Sequence, residues 1–149
     1  MKPASRSLHD YGQLQRAIML MIMLGGTYYW SLARYHTGPI LSETEYGPFI
    51  LSFSAEFWSI PLALGGAVHL LAQVVNGDPR LKPWITPAVR LLASIVVAGN
   101  MIMFSYGGLF APVWGPFFAY TFMGSVLVLW FAFLAAGDFV RGLGSASMG

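Results

Sequence analysis

Four apolar stretches, 17–33, 49–75, 89–111 and 113–136, occupy most of this 149-residue chain, and a single carboxylate, Glu56, lies inside them. A soluble domain devotes about 25% of its residues to charged side chains to keep its surface wet. Here charged residues make up 9% and apolar residues 56%. A bilayer removes the need for polar cover, because lipid solvates apolar side chains and makes each exposed charge costly. The expectation is an all-α, polytopic integral membrane protein whose body is a bundle of four transmembrane helices. The length of the chain leaves little for a separate soluble domain. The bounds expected are a cytoplasmic segment at 1–16, a transmembrane domain at 17–136 and a cytoplasmic tail at 137–149.

The first stretch opens after Arg16 and closes at Arg34. No small-x-small site follows it, and Tyr28, Tyr29 and Trp30 stand there instead, so a retained helix is favoured over a cleaved signal peptide. Pro61 is expected to kink the second stretch. Between the second and third, 76–87 is polar, with Pro79, Pro83 and Pro87 spaced so that helix cannot run through. Gly107, Gly108, Pro112, Gly115 and Pro116 divide the third stretch from the fourth.

Orientation is read from Lys and Arg, which are retained on the cytoplasmic side of spans. Lys2, Arg6 and Arg16 precede the first span, Arg80, Lys82 and Arg90 flank the middle connector, and Arg141 follows the last span. The two opposite connectors hold only Arg34. Both termini are therefore expected in the cytoplasm, with a bacterial inner membrane as the expected setting. Tyr28, Tyr29, Trp30, Tyr46, Tyr106 and Trp114 form an aromatic belt at the outer boundary, where amphipathic rings are at home.

Glu56 is the candidate ion or proton site, since a carboxylate in a span must be neutral, paired or in contact with a wet cavity. At about 100° per residue it shares a helix face with Ser52, Ser59, Ala63 and Gly66, with Ala67 at the edge; small residues there let another helix approach. His69, Gln73 and Asn100 are the remaining intramembrane polar candidates. Gln73 lies one turn beyond His69, so the two form an i,i+4 pair. Asn100 is placed to join helices by hydrogen bonding, and Arg90 to reach lipid headgroups from the start of its span.

Other chemistry has little to stand on. Cysteine is absent, which removes thiolate metal sites and cysteine nucleophiles, and no metal or cofactor is expected. A membrane haem needs axial histidines at matched depths, and His9 and His36 fall outside the spans. No catalytic motif is found. The scattered basic residues lack the clustering with aromatics that nucleic-acid binding needs. The leading expectation is a non-enzymatic membrane protein acting by helix assembly with partner membrane subunits or as a homo-oligomer. It is either an accessory subunit or a permeabilising protein in the manner of holins, although an uncharged end at 142–149 departs from the holin pattern. The rival is a small proton- or cation-coupled carrier that uses Glu56.

Overall fold

The computed structural model describes residues 4–35, 53–76, 78, 80–108 and 116–146. Among these the chain is all helical, in four helices: α1 (Ala4–Tyr35), α2 (Ala55–Val74), α3 (Ile85–Gly108) and α4 (Pro116–Ala146). Three of them are long and apolar enough to cross a membrane: α2, α3 through Gly107, and α4 from Thr121. The first helix is not apolar enough. Its 32 residues make a rod of about 48 Å, but Gly25, Gly26, Thr27 and Ser31 dilute the apolar run, and Gln13, Gln15 and Arg16 interrupt it on the other side.

The helix starts follow local chemistry. Ser54 caps α2, its Oγ accepting the Phe57 N–H at 3.2 Å, which satisfies a donor that has no partner within the helix. The helix therefore begins at Ala55, later than the apolar run that starts at 49. Pro87 sits in the first turn of α3 and Pro116 opens α4, positions where a missing N–H costs nothing. Between α2 and α3 the chain descends through turns closed by Asp78 N–H to the Val75 carbonyl, Leu81 N–H to that of Asp78 and Ile85 N–H to that of Lys82. Asp78 Oδ1 holds the Arg80 N–H at 2.9 Å, and Thr86 donates to Asn76 Oδ1 across the same connector. Helix α4 runs on to Ala146, through most of what the apolar pattern assigns to a tail.

Close packing joins each helix to the next in the chain: α1 to α2, α2 to α3 and α3 to α4. Gly26 of α1 is so close to α2 that a Cβ there would lie 2.5 Å from the Ala63 nitrogen. A Cβ on Gly66 would lie 2.9 Å from Met23 Cβ. The other side of α2 meets α3, where a Cβ on Gly65 would reach Val97 Cγ2. Gly124 of α4 faces the Met101 side chain, and Gly142 faces the backbone of Pro83 and Trp84. These pairings descend in number on one helix as they rise on its neighbour, so successive helices are antiparallel. Met19 of α1, Val97, Ala98 and Met101 of α3, and Val128 and Phe131 of α4 share one core, with Leu62 and Leu70 of α2 packed against it.

Pro61 stands inside α2, where its missing N–H leaves the Phe57 carbonyl without its usual helical donor. Asn100 of α3 supplies the replacement, its Nδ2 donating to the Phe57 oxygen at 3.3 Å. Proline is tolerated in an apolar helix when a neighbour satisfies the freed group in this way.

Candidate functional site

His69 of α2 is fully buried. Three helices place polar side chains around its ring. Gln15 Nε2 of α1 is 3.0 Å from His69 Nε2, and Gln73 Nε2, one turn along α2, is 3.1 Å from the same atom. Ser94 Oγ of α3 lies 3.0 Å from His69 Nδ1. Arg90, one turn before Ser94, donates from Nη2 to Gln15 Oε1 at 3.3 Å. Its Nη1 lies 3.5 Å from Asp138 Oδ2 of α4, and Asp138 in turn accepts from Arg141 Nη2 at 2.7 Å.

This chain of contacts assigns the histidine's tautomer. A guanidinium only donates, so Arg90 fixes the carbonyl end of Gln15 toward itself and the amide nitrogen toward His69. His69 Nε2 must then be the unprotonated, accepting nitrogen, shared by the amides of Gln15 and Gln73. The proton is left on Nδ1, which donates to Ser94 Oγ. His69 is thus neutral in this arrangement, with both nitrogens committed inside the protein. Ligation of a metal or haem iron through Nε2 would first have to displace two glutamine amides. Among the described residues no three His, Cys, Asp or Glu side chains lie close enough together to hold a metal ion.

Two buried atoms of the cluster have no hydrogen-bond partner among the described residues, Gln73 Oε1 and Arg90 Nε. One accepts and the other donates. Gln15, Gln73, Ser94 and Arg90 are all buried, whereas the Asp138 side chain is 39% exposed. The cluster therefore passes from a closed centre at His69 to a wetter margin at Asp138 and Arg141. Its hydrogen bonds and ion pair tie the helices together and place charge between them.

The other sequence candidates lie elsewhere. Glu56 is half-buried in the first turn of α2, where the helix dipole and the uncommitted N–H groups favour a carboxylate. Its carbonyl accepts from Ser59 Oγ at 3.5 Å. Ser59, Ala63 and Gly66 are buried on the face that receives α1, and Ala67 is half-buried beside them. Ser52 lies outside the described residues, as do the segments 36–52 and 109–115 with Tyr46 and Trp114. Asn100 repairs the Pro61 break and does not touch His69.

Arg90 departs from the sequence reading. In place of a headgroup-seeking side chain it is 7% exposed and braced between Gln15 and Asp138. Gln15, Ser94 and Asp138 were not legible as partners. Gln15 and Asp138 fall outside the apolar stretches, and a lone serine in a span carries no signal until a histidine is placed opposite it. The one local clue was the His69–Gln73 spacing.

The chain matches no protein-family model, no curated protein and no solved structure. What the fold defines is an all-helical, membrane-like protein with a histidine-centred polar cluster buried between its helices.

Proposed function

We propose that this chain is a non-enzymatic integral membrane protein that works by assembly with other membrane chains, as an accessory subunit or as an oligomer of itself. The observation that carries this reading is the division of its polar side chains. Those buried at His69 are spent on binding its own helices together, while the outward surfaces of the three apolar helices present Leu64, Leu71, Leu92, Ile95, Met123 and Phe133. A protein built this way offers its surroundings apolar surface, which suits lipid or another membrane helix.

Within the proposal α1 is the fourth span. Its antiparallel run along α2 supports this, as does the burial of its most polar inward residue, Gln15, in the cluster, since a partnered amide is far less costly in a bilayer than a bare one. The charge distribution then puts both termini and the α2–α3 connector on the cytoplasmic side, and a bacterial inner membrane is the setting in which that rule is applied here.

Size and composition of the complex extracted in mild detergent, read by mass spectrometry, test the proposal. Defined partner chains support the accessory role, and a homo-oligomer supports the self-assembling, permeabilising version. A monomer without partners in a native-like bilayer overturns both. The ion-coupled carrier draws less support, because the first turn of α2 accounts for Glu56 by itself. Unchanged ion flux in Glu56→Gln would eliminate the carrier, whereas its loss in a folded variant would restore it.

A further inference from the structure

The antiparallel pairing gathers basic side chains from three separate parts of the chain at one end of the molecule. Arg16 follows Gln15 directly on α1. Arg80 and Lys82 stand on the α2–α3 connector. Arg141 is on α4, one turn beyond Asp138. All four are exposed, Arg141 with 78% of its side chain accessible. Their relative placement is fixed rather than adventitious: Gly142, the neighbour of Arg141, packs directly on the backbone of Pro83 and Trp84, so close that a Cβ would lie 2.8 Å from the Pro83 oxygen. Trp84 also meets Phe139 edge-on at 6.3 Å. The connector and the end of α4 therefore move as one unit.

Few described carboxylates compete for these cations. Asp138 is occupied by Arg90 and Arg141, and Asp78 is turned to the Arg80 backbone N–H. Arg16, Arg80 and Lys82 form no ion pair among the described residues. A half-buried tryptophan beside the basic rim sits where indoles anchor at the headgroup level.

We propose that this rim binds the phosphate headgroups of anionic phospholipids in the leaflet that faces the α2–α3 connector. The proposal rests on the reading of the chain as a membrane protein. Each basic side chain near an anionic leaflet strengthens attraction about fivefold; Arg can also bind a phosphate in bidentate fashion, and the preference for an anionic over a zwitterionic headgroup comes from net charge. Among the side chains the structure describes at this end, Asp78 and Asp138 oppose it, Asp138 by already pairing with Arg141.

The test uses the full chain in nanodiscs of phosphatidylcholine with and without phosphatidylglycerol, followed by native mass spectrometry of the lipids that remain after release into mild detergent. Retention enriched in phosphatidylglycerol, falling about fivefold or more in Arg80→Gln/Lys82→Gln and again with Arg141→Gln, is the expected result. Competition with soluble glycerol phosphate distinguishes the lipid from free phosphate: retention unaffected by it supports a headgroup held in the membrane, and full displacement overturns the lipid assignment. Equal retention of both lipids, or enrichment that survives the triple variant, also overturns the proposal. Failure of the chain to integrate into either membrane contradicts the membrane reading itself, which is a separate result from integration without lipid preference.

Discussion

The two ends of the helix assembly use polar side chains in different ways. At the connector end, Gln15, His69, Gln73, Ser94, Arg90 and Asp138 bond to one another across four helices. Toward the other end, hydroxyls and amides bond mainly to backbone carbonyls: Asn100 to Phe57, Ser105 to Met101, Ser31 to Thr27 and Thr27 to Met23. Ser105, whose Oγ also lies 3.0 Å from Thr121 Oγ1 and can accept from it, is the exception that reaches a side chain on the next helix. The first pattern requires every helix to be correctly placed at once. The second repairs one helix, or one pair, at a time. Loss of a residue at the connector end should therefore spread, and loss at the other end should stay local.

His69→Leu is the sharpest way to break the connector end. It removes the acceptor shared by two glutamine amides and the donor to Ser94, leaving buried polar groups that each cost about 1–3 kcal/mol when unpaired. The expected loss is about 3 kcal/mol in a mixed-micelle denaturation series, with α1 and α3 both loosened in hydrogen exchange. Protection lost on α2 alone would contradict a cluster that couples the helices.

Gly26→Leu should come next. Overpacking at a backbone approach costs about 1–3 kcal/mol, and the Ala63 nitrogen and Ser59 oxygen that a side chain would meet belong to the α2 main chain and cannot rotate away. Crosslinking between cysteines introduced on the facing sides of α1 and α2 should fall, while the α3–α4 seam keeps its protection. Equal crosslinking in the variant would mean that the close approach does not hold the seam.

The smallest effect belongs to the repair at Pro61. Asn100→Leu should cost about 1 kcal/mol or less. In a Pro61→Ala background the cost should shrink further, because alanine restores the N–H that the Phe57 carbonyl lacks. A double-mutant cycle reads this coupling directly, and additive effects would show that Asn100 and Pro61 act independently.

The three apolar helices were readable because apolar runs long enough to cross a bilayer are a composition signal that tertiary packing does not disturb. The first stretch differs: 17–33 reads as a span, whereas α1 is a helix that is not apolar enough to count among the three candidate spans. Its apolar run is short, and the helix extends back to Ala4 through residues with no apolar continuity. The start of α2 was misplaced because apolar character begins at 49, whereas the backbone obeys the Ser54 cap. At the site, His69 and Gln73 share one helix, so their spacing alone brought them together. Arg90, Ser94, Gln15 and Asp138 meet only through contacts between residues 25 to 75 positions apart for the pairs that hydrogen-bond, and no periodicity along one helix encodes those. Arg90 was assigned to the headgroups because its place at the beginning of a span is also where solvated arginines occur.

The carbonyl freed by Pro61 has a mechanical consequence. A helix that slides along its neighbour normally exchanges one set of apolar contacts for a similar one, and a shift of one turn, about 5.4 Å, is a small step. Here such a shift would carry Asn100 away from the Phe57 carbonyl, the one in the interior of α2 that Pro61 leaves without a helical donor. The pair therefore has a keyed register, in which one polar contact marks the position where α2 and α3 fit and a one-turn slide forfeits it.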